Sequence, residues 1–361
     1  MIAEKNIAST HKQIEYHKPT FSKEELQIVL DCLVDDLVGS GTVVEKFEKD
    51  FKSTFKLRQV ISTNSLFSAY HLSLLSLGVT EGDSILLSSY APHEAIDAIM
   101  LLRANPVVVD LGKSSFGMDE EDFHKKLKQF NPKVILFDHT FGSVVNLKNY
   151  QTEGIHTIED YSEALGADSE EIPVGKQGTI SICGLSSMNV ITTGNGAVIN
   201  TQNDSIAEAI RSYKYSPVLR KKGQKIRFDY NLLDIHAAIG IEQISKLGVI
   251  IERKKKIAQV YLQAVLSASH ETYFNKSGID QYNRFPIVFS KPFDEVLRYF
   301  KSLLIGTERT STEPIHRIFE LPNQDFPNSE RLFQRGHCIP IYPNLTRDNV
   351  SRIASSIKGI Y

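Results

Sequence analysis

The feature that most constrains this chain is a series of short segments that are apolar without interruption, each followed by a stretch with helical spacing. Residues 106–111 read PVVVDL and residues 133–138 read KVILFD. A strand with one wet face alternates apolar and polar side chains. A strand written in continuous Val, Ile, Leu and Phe is covered on both faces. Strand signals at 59–62, 84–89, 106–111, 133–138 and 156–160 alternate with helical patterns at 65–77, 93–103 and 120–130. Two further strand-like runs lie at 179–183 and 197–201. Such alternation implies an α/β domain built on a mostly parallel sheet.

The flanks fit around that unit. The first 20 residues are polar and read as an arm. Leu26, Val29, Leu30, Leu33, Val34 and Leu37 have the spacing of an amphipathic helix over 23–37. Gly39, Ser40 and Gly41 stop it, and a second helix is expected over 43–55. A helix at 206–213 leads to a basic loop at 220–227, then to a long helical stretch over 233–266. The mixed remainder suits a smaller C-terminal domain. At roughly 150 residues per domain, a chain of 361 residues suggests about two. The expected division is an arm at 1–20, a large domain at 21–245 and a small α+β domain at 246–361.

Charge removes several classes of function. Lys plus Arg number 41 and Asp plus Glu 43, a formal net charge of −2. That argues against a nucleic-acid binder working by bulk charge, and there is no polybasic membrane anchor. No apolar run approaches the ~18 residues of a spanning helix. The opening MIAEKNIASTHKQIEYHKP has no signal-peptide apolar core. Cys32, Cys183 and Cys338 are too far apart for a metal knuckle and odd in number for a disulfide framework. A cytoplasmic protein without a metal is expected. There is no GxSxG and no P-loop, and GSGT at 39–42 is too short for a dinucleotide fingerprint.

Four segments together resemble one family. They are GSGTVVEKFEKDFKSTF from residue 39, HTIEDYSEALGA from 156, FDYNLLDIHAAIGIEQISKL from 228 and IPIYPNLT at 339–346. In this order they resemble the DegT/DnrJ/EryC1/StrS group of pyridoxal-phosphate (PLP) sugar aminotransferases, from about residue 20 to the end. The resemblance implies a fold-type-I large domain with a mixed, mostly parallel seven-stranded sheet, plus a small C-terminal domain. It also implies a homodimer with sites at the subunit interface, and amino transfer to a keto-sugar nucleotide.

Pyridoxal chemistry needs a lysine for the imine, a carboxylate on the pyridine nitrogen, donors for the phosphate and an aromatic face on the ring. By resemblance, Asp160 is the pyridine-binding carboxylate, at the ligand-binding end of its strand; it equally suits a helix N-cap. Glu163 fills a slot where members carry Gln, His or Glu. The lysine lies three residues before Thr-Thr-Gly in the family; Thr192, Thr193 and Gly194 are intact here, but the slot holds Asn189. Lys176 and Lys214 are the nearest lysines in sequence. Gly184 replaces a phosphate-binding Ser. Leu66 and Phe67, just after Ser65 at the helix start, replace Gly-Thr. Asp229 replaces the Asn that reaches the partner subunit's phosphate. Pro92 stands in the stacking slot, two residues after Tyr90. HTFG at 139–142 matches a family segment near the active site.

Lysine, serine, Gly-Thr, asparagine and aromatic thus all depart while scaffold motifs persist. The expectation is a non-catalytic homologue, or pseudoenzyme, with PLP or pyridoxamine phosphate (PMP) implied by the family but covalent attachment lost. Its role would be a binding or regulatory subunit in sugar or polysaccharide biosynthesis, serving a nucleotide sugar or a catalytic paralogue. The alternative is an active aminotransferase, or a deoxysugar dehydratase on non-covalent PMP. For the dehydratase, His93, His139 or His156 would relay protons. Arg211, Arg220 and Arg227 are candidates for diphosphate contacts, or plain surface charges.

Overall fold

The computed structural model describes residues 12–167, 171, 173–214, 226–274 and 279–360. Its large sheet has seven strands: β1 (Gln59–Thr63), β2 (Ser84–Ser88), β3 (Asn105–Val109), β4 (Val134–Asp138), β5 (His156–Asp160), β6 (Ile180–Gly184) and β7 (Ala197–Thr201). Their spatial order is β1-β7-β6-β5-β4-β2-β3. Strands β3, β2, β4, β5 and β6 are parallel, whereas β7 runs antiparallel to β6 and β1. Strands β4, β6 and β7 are buried at every position, as two-sided coverage requires. The covering helices are α1 (Lys23–Val34), α2 (Thr42–Thr54), α3 (Leu66–Ser76), α4 (His93–Leu101), α5 (Glu120–Phe130), α6 (Asp204–Tyr213) and the 34-residue α7 (Asp234–Ser267). The fold is therefore the expected α/β one, with a mixed, mostly parallel seven-stranded sheet.

The remaining elements are β8 (Phe285–Val288), α8 (Phe293–Ser302), β9 (Glu308–Arg309), α9 (Ile315–Ile318), α10 (Pro327–Arg335), β10 (Gly336–Ile339) and α11 (Arg347–Lys358). They form an antiparallel sheet, β8-β10-β9, around a core that includes Phe285, Ile287, Phe300 and Ile353. Helix α7 passes through residues 245 and 246 without a break, so the expected division falls inside one continuous element.

Two of the sequence motifs meet in space. Asp234, at the start of α7, accepts from Gly41 N and Val44 N, each at 2.9 Å, and so caps α2. A Cβ on Gly41 would lie 2.9 Å from Asp234 Oδ2, which is why glycine stands there. One turn and a half further along α7, Gly240 lets Phe47 and Thr193 approach. A Cβ on it would meet Phe47 Cε2 at 2.6 Å and Thr193 Cγ2 at 2.8 Å.

Helix α1 is amphipathic as expected, but its apolar stripe faces out. Leu26, Leu30, Leu33 and Val34 are exposed. The buried side carries Glu25, whose carboxylate accepts from Gln243 and Lys246 of α7 at 2.7 and 2.9 Å. The described part of the arm is pinned at two points. Ile14 bridges Ile305 beyond α8, and His17 Nε2 lies 2.6 Å from the Ser187 carbonyl.

Candidate functional site

The parallel strands β4, β5 and β6 end together on one side of the sheet. Their last residues are Asp138, Asp160 and Gly184. Ligands in open α/β sheets bind beyond the carboxyl ends of the strands, and a cavity of about 400 Å³ opens there. Asp138, Asp160 and Glu163 form its floor with Ser162 and Arg284, and Asn189 closes one wall. Of the expected site residues, Ser65, Leu66, Pro92, Asp160, Glu163 and Asn189 all line it. Tyr90, the alternative stacking residue, lines it beside Pro92.

Asp160 is fully buried and both its oxygens are engaged. Ser162 N donates to Oδ1 at 2.8 Å, and the Tyr70 hydroxyl donates to Oδ2. Tyr70 comes from α3, is itself buried, and was not singled out from the sequence. Burial pushes the Asp160 carboxyl up to about 6, against the pull of those hydrogen bonds. Asp138 is its register partner on the neighbouring strand. Burial, and then the charge of Asp160, push Asp138 up to about 7, although the Thr140 hydroxyl donates to its Oδ2.

Glu163 behaves differently. Arg284 clasps it with two donors at 2.6 and 3.0 Å, Phe141 N adds 2.6 Å and Asn283 adds 3.1 Å. Burial works to raise its pKa, but the guanidinium charge and these donors hold it below the usual range. Arg284 also lies over the Phe141 ring, 4.5 Å from its centroid. Phe141 holds a left-handed backbone (φ 62°), a costly conformation for a buried aromatic and one that aims its N–H at Glu163. Arg284 was not expected from the sequence; Phe141 lies in the HTFG segment that was.

Asn189 is locked by its own turn. Its Oδ1 accepts from Ser186 N and Ser186 Oγ, both at 2.7 Å. Gly184 N donates to Ser162 Oγ at 2.6 Å. A Cβ on Gly184 would lie 3.0 Å from Ser162 Oγ, 3.3 Å from Asn189 Oδ1 and 3.4 Å from Leu66 Cδ2, so the family's serine has little room. Ser65 is spent as the N-cap of α3, accepting from Ser68 N at 3.1 Å.

Other expectations are corrected. Phe67 does not fill the cavity; it turns to the opposite side of α3, against His71 and Tyr230. Asp229, expected at the partner subunit's site rather than this one, is exposed, and its carboxylate takes Asn231 at 2.9 Å. His93 binds the Glu313 carbonyl at 2.8 Å and His156 sits at the far end of β5. His139 does line the cavity, but it is committed at both ring nitrogens. Nδ1 accepts from Val145 N at 3.0 Å, which leaves Nε2–H to donate to Glu159 at 3.1 Å. His139 alone of the three lines the cavity, and both its ring nitrogens are engaged. Lys214 reaches the Ser62 carbonyl at 2.8 Å, and neither it nor Lys176 is in the lining. Arg211 pairs with Gln59 outside the cavity, Arg227 lies outside the lining, and Arg220 falls outside the described residues.

One buried lysine was missed. Lys254 of α7 donates to Asn283 Oδ1 at 2.8 Å and to its carbonyl at 3.1 Å, behind the turn that carries Asn189. Burial pushes its amine down to about 8.

These residues do not fit a covalently held PLP. The slot offers no amine, Asp160 already receives a tyrosine hydroxyl, Ser65 is spent as a helix cap, and Leu66 lines the cradle. The electrostatics agree: three carboxyls line the floor, and the single guanidinium among the lining residues is tied to one of them. Among the described residues no group of three His, Cys, Asp or Glu is placed to hold a metal, and no helix is long and apolar enough to cross a membrane.

Comparison with known proteins extends the pattern over the whole chain. GDP-perosamine synthase of Escherichia coli O157:H7 is 26% identical over 370 residues, covering 97% of this chain and 99% of that protein. The aminotransferase TlmJ of Streptoalloteichus hindustanus superposes with a TM-score of 0.88 at 20% identity, covering 96% and 98%. GDP-4-keto-6-deoxy-D-mannose-3-dehydratase of E. coli, solved with hydrated PLP, gives 0.85 at 18%, covering 96% and 100%. A histidine-to-asparagine mutant of the dehydratase ColD, solved with GDP-perosamine bound, gives the same values. Residues 19–358 match one family along their full length, and the chain belongs to the DegT/DnrJ/EryC1/StrS aminotransferase family.

Proposed function

We propose that this chain is a member of its family that binds a nucleotide sugar without forming an imine to PLP, and that it serves as a binding or regulatory subunit in sugar or polysaccharide biosynthesis. The observation that carries this reading is Asn189. A carboxamide has no nucleophilic nitrogen, and its oxygen is held by Ser186. The Tyr70 hydroxyl on Asp160 supports it, because that donor competes with a pyridine nitrogen for the same carboxylate. Relatives supply the ligand class: a GDP-perosamine synthase lies in the same family, and a dehydratase mutant with asparagine in place of a histidine still holds GDP-perosamine.

The reading includes a cytoplasmic homodimer, or a pairing with a catalytic paralogue. The exposed stripe of Leu26, Leu30, Leu33 and Val34 on α1 supports a protein partner, since such a row is costly in water. Leu30→Lys is expected to shift a dimer toward monomer in sedimentation; a monomer already in the unaltered protein would remove that part of the reading.

The decisive experiment is titration of the purified protein with PLP and with PMP. Absorbance is followed, and borohydride reduction with mass mapping comes after. No imine band and no lysine adduct are expected. A reduced adduct on any side chain would overturn the proposal.

A further inference from the structure

The turn that leads from the Asn189 loop into β7 holds the one Asn-Gly pair of the sequence, Asn195-Gly196. Asn195 is exposed and lines the cavity. Its carboxamide folds back on the main chain, so that Gly196 N donates to Asn195 Oδ1 at 3.0 Å. The electrophilic carbon, Cγ, is one bond from that oxygen. Gly196 N donates to no backbone carbonyl among the described residues, and Asn195 Nδ2 has no hydrogen bond among them. The carbonyl of the same peptide unit, Asn195 O, accepts from Thr193 Oγ1 at 2.7 Å. When Gly196 N gives up its proton, the charge spreads onto that oxygen, where a hydroxyl already stands to stabilise it. Gly196 holds φ 148° and has no side chain to obstruct its nitrogen.

We propose that Asn195 is a self-modification site, at which the Gly196 nitrogen displaces the side-chain amide and a carboxylate is left in the cavity lining. Gly196 N bonds to Asn195 Cγ, the Cγ–Nδ2 bond breaks, and ammonia departs carrying the proton that Gly196 N gave up to water. Water then opens the cyclic imide and returns a hydrogen to Gly196 N. Opening at Cγ gives aspartate; opening at the main-chain carbon gives isoaspartate, with one more carbon in the main chain. The sum is carboxamide plus water to carboxylate plus ammonium, and nothing is oxidised or reduced. Either product makes the chain one charge more negative than its −2, in a lining that already holds Asp138, Asp160 and Glu163. The isoaspartate also lengthens the turn that Leu185 N pins to Gly196 O at 2.8 Å.

The fold supplies internal controls. Asn64 and Asn328 each precede a serine, but both are tied down. Asn64 Oδ1 accepts from Ser68 Oγ at 2.7 Å, Asn328 Nδ2 donates to Leu111 O at 2.8 Å, and the following Ser329 N is committed to Asp110 at 2.9 Å.

The test is incubation of the purified full chain at mildly alkaline pH in heavy-oxygen water, followed by peptide mapping by mass. Conversion at Asn195, with one solvent oxygen incorporated, is expected to be at least about tenfold faster than at Asn64 or Asn328. The native chain is expected to convert at Asn195 at least as fast as the same chain unfolded in urea, since the turn already places nitrogen and carboxamide together. Thr193→Val is expected to slow the native conversion about tenfold, as loss of a hydrogen bond to a charged group warrants, and Thr193→Ser to restore it. Should Thr193→Val fail to fold, the comparison of native and unfolded chains still decides. No conversion at Asn195, equal conversion at the control asparagines, a native rate below the unfolded one, or a rate unchanged in folded Thr193→Val would each overturn the proposal.

Discussion

Replacing Asp138 with Asn is expected to stabilise the ligand-free protein, and to do so more strongly as pH rises. In the unfolded chain this carboxyl titrates near its ordinary value of 3.8, and in the fold burial and Asp160 carry it to about 7. A group whose folded pKa is raised holds its proton in the native state after the unfolded state has lost it. Native stability therefore falls as pH climbs from about 4 to about 7. At about 1.4 kcal/mol per pH unit, the handicap reaches about 4 kcal/mol by pH 8 and about 2 kcal/mol at pH 5. Asparagine does not ionise, and its carbonyl can still accept from Thr140. Its buried NH2 gives back part of the gain, so about 2–4 kcal/mol at pH 8 is the expected net. The assay is urea denaturation of both proteins at pH 5 and pH 8. The variant should be the more stable, with a gap at least about 1 kcal/mol wider at pH 8. A gap that is constant with pH, or one that shrinks as pH rises, would refute the reasoning, because Asp138 would then not be an uncompensated buried acid.

Arg284→Ala removes the guanidinium that clasps Glu163 and should cost about 3–5 kcal/mol in chemical denaturation at pH 7. Because Glu163 is held below its ordinary 4.5 in the native protein, that deficit should shrink as pH falls through the lowered folded value. Asn189→Lys alone should not generate an imine absorbance with PLP, since Leu66 and the crowding at Gly184 still deny the phosphate its seat; appearance of the band in this single variant would show that the amide was the sole obstacle. Gly240→Ala should cost about 1–3 kcal/mol or more by overpacking against Phe47 and Thr193, read from the urea midpoint. Tyr70→Phe should cost about 1–3 kcal/mol by stripping Asp160 of one donor, read the same way.

The strands were legible because two-sided burial writes continuous apolar runs, and β4 shows it plainly: five buried residues in VILFD. Asp160 and Asn189 were legible through motif register. Tyr70 was not, because its hydroxyl meets a carboxylate 90 residues away. The available signal was a tyrosine within a helix of mostly apolar and small residues, since a buried hydroxyl needs a partner. Phe67 was misread by one helical step, where about 100° of rotation decides between the cavity and the Tyr230 cluster. Lys254 was hidden in the charged run 252–256, which reads as a wet face. Its spacing from Ile250, Ile257, Ala258 and Tyr261, all buried on α7, was the sign that this one lysine points inward. Arg284 and Glu163 lie 121 residues apart, and no local pattern links them.

The N-terminal segment joins two places that are far apart in sequence. Ile14 is stitched to the small sheet's neighbourhood at Ile305, and His17 grips the carbonyl of Ser187, two residues before Asn189. A tag or fusion placed ahead of residue 12 is therefore mechanically tethered to the pocket's own rim. Affinities measured on such a protein and on its cleaved counterpart ought to differ, and the cleaved form is the one to weigh.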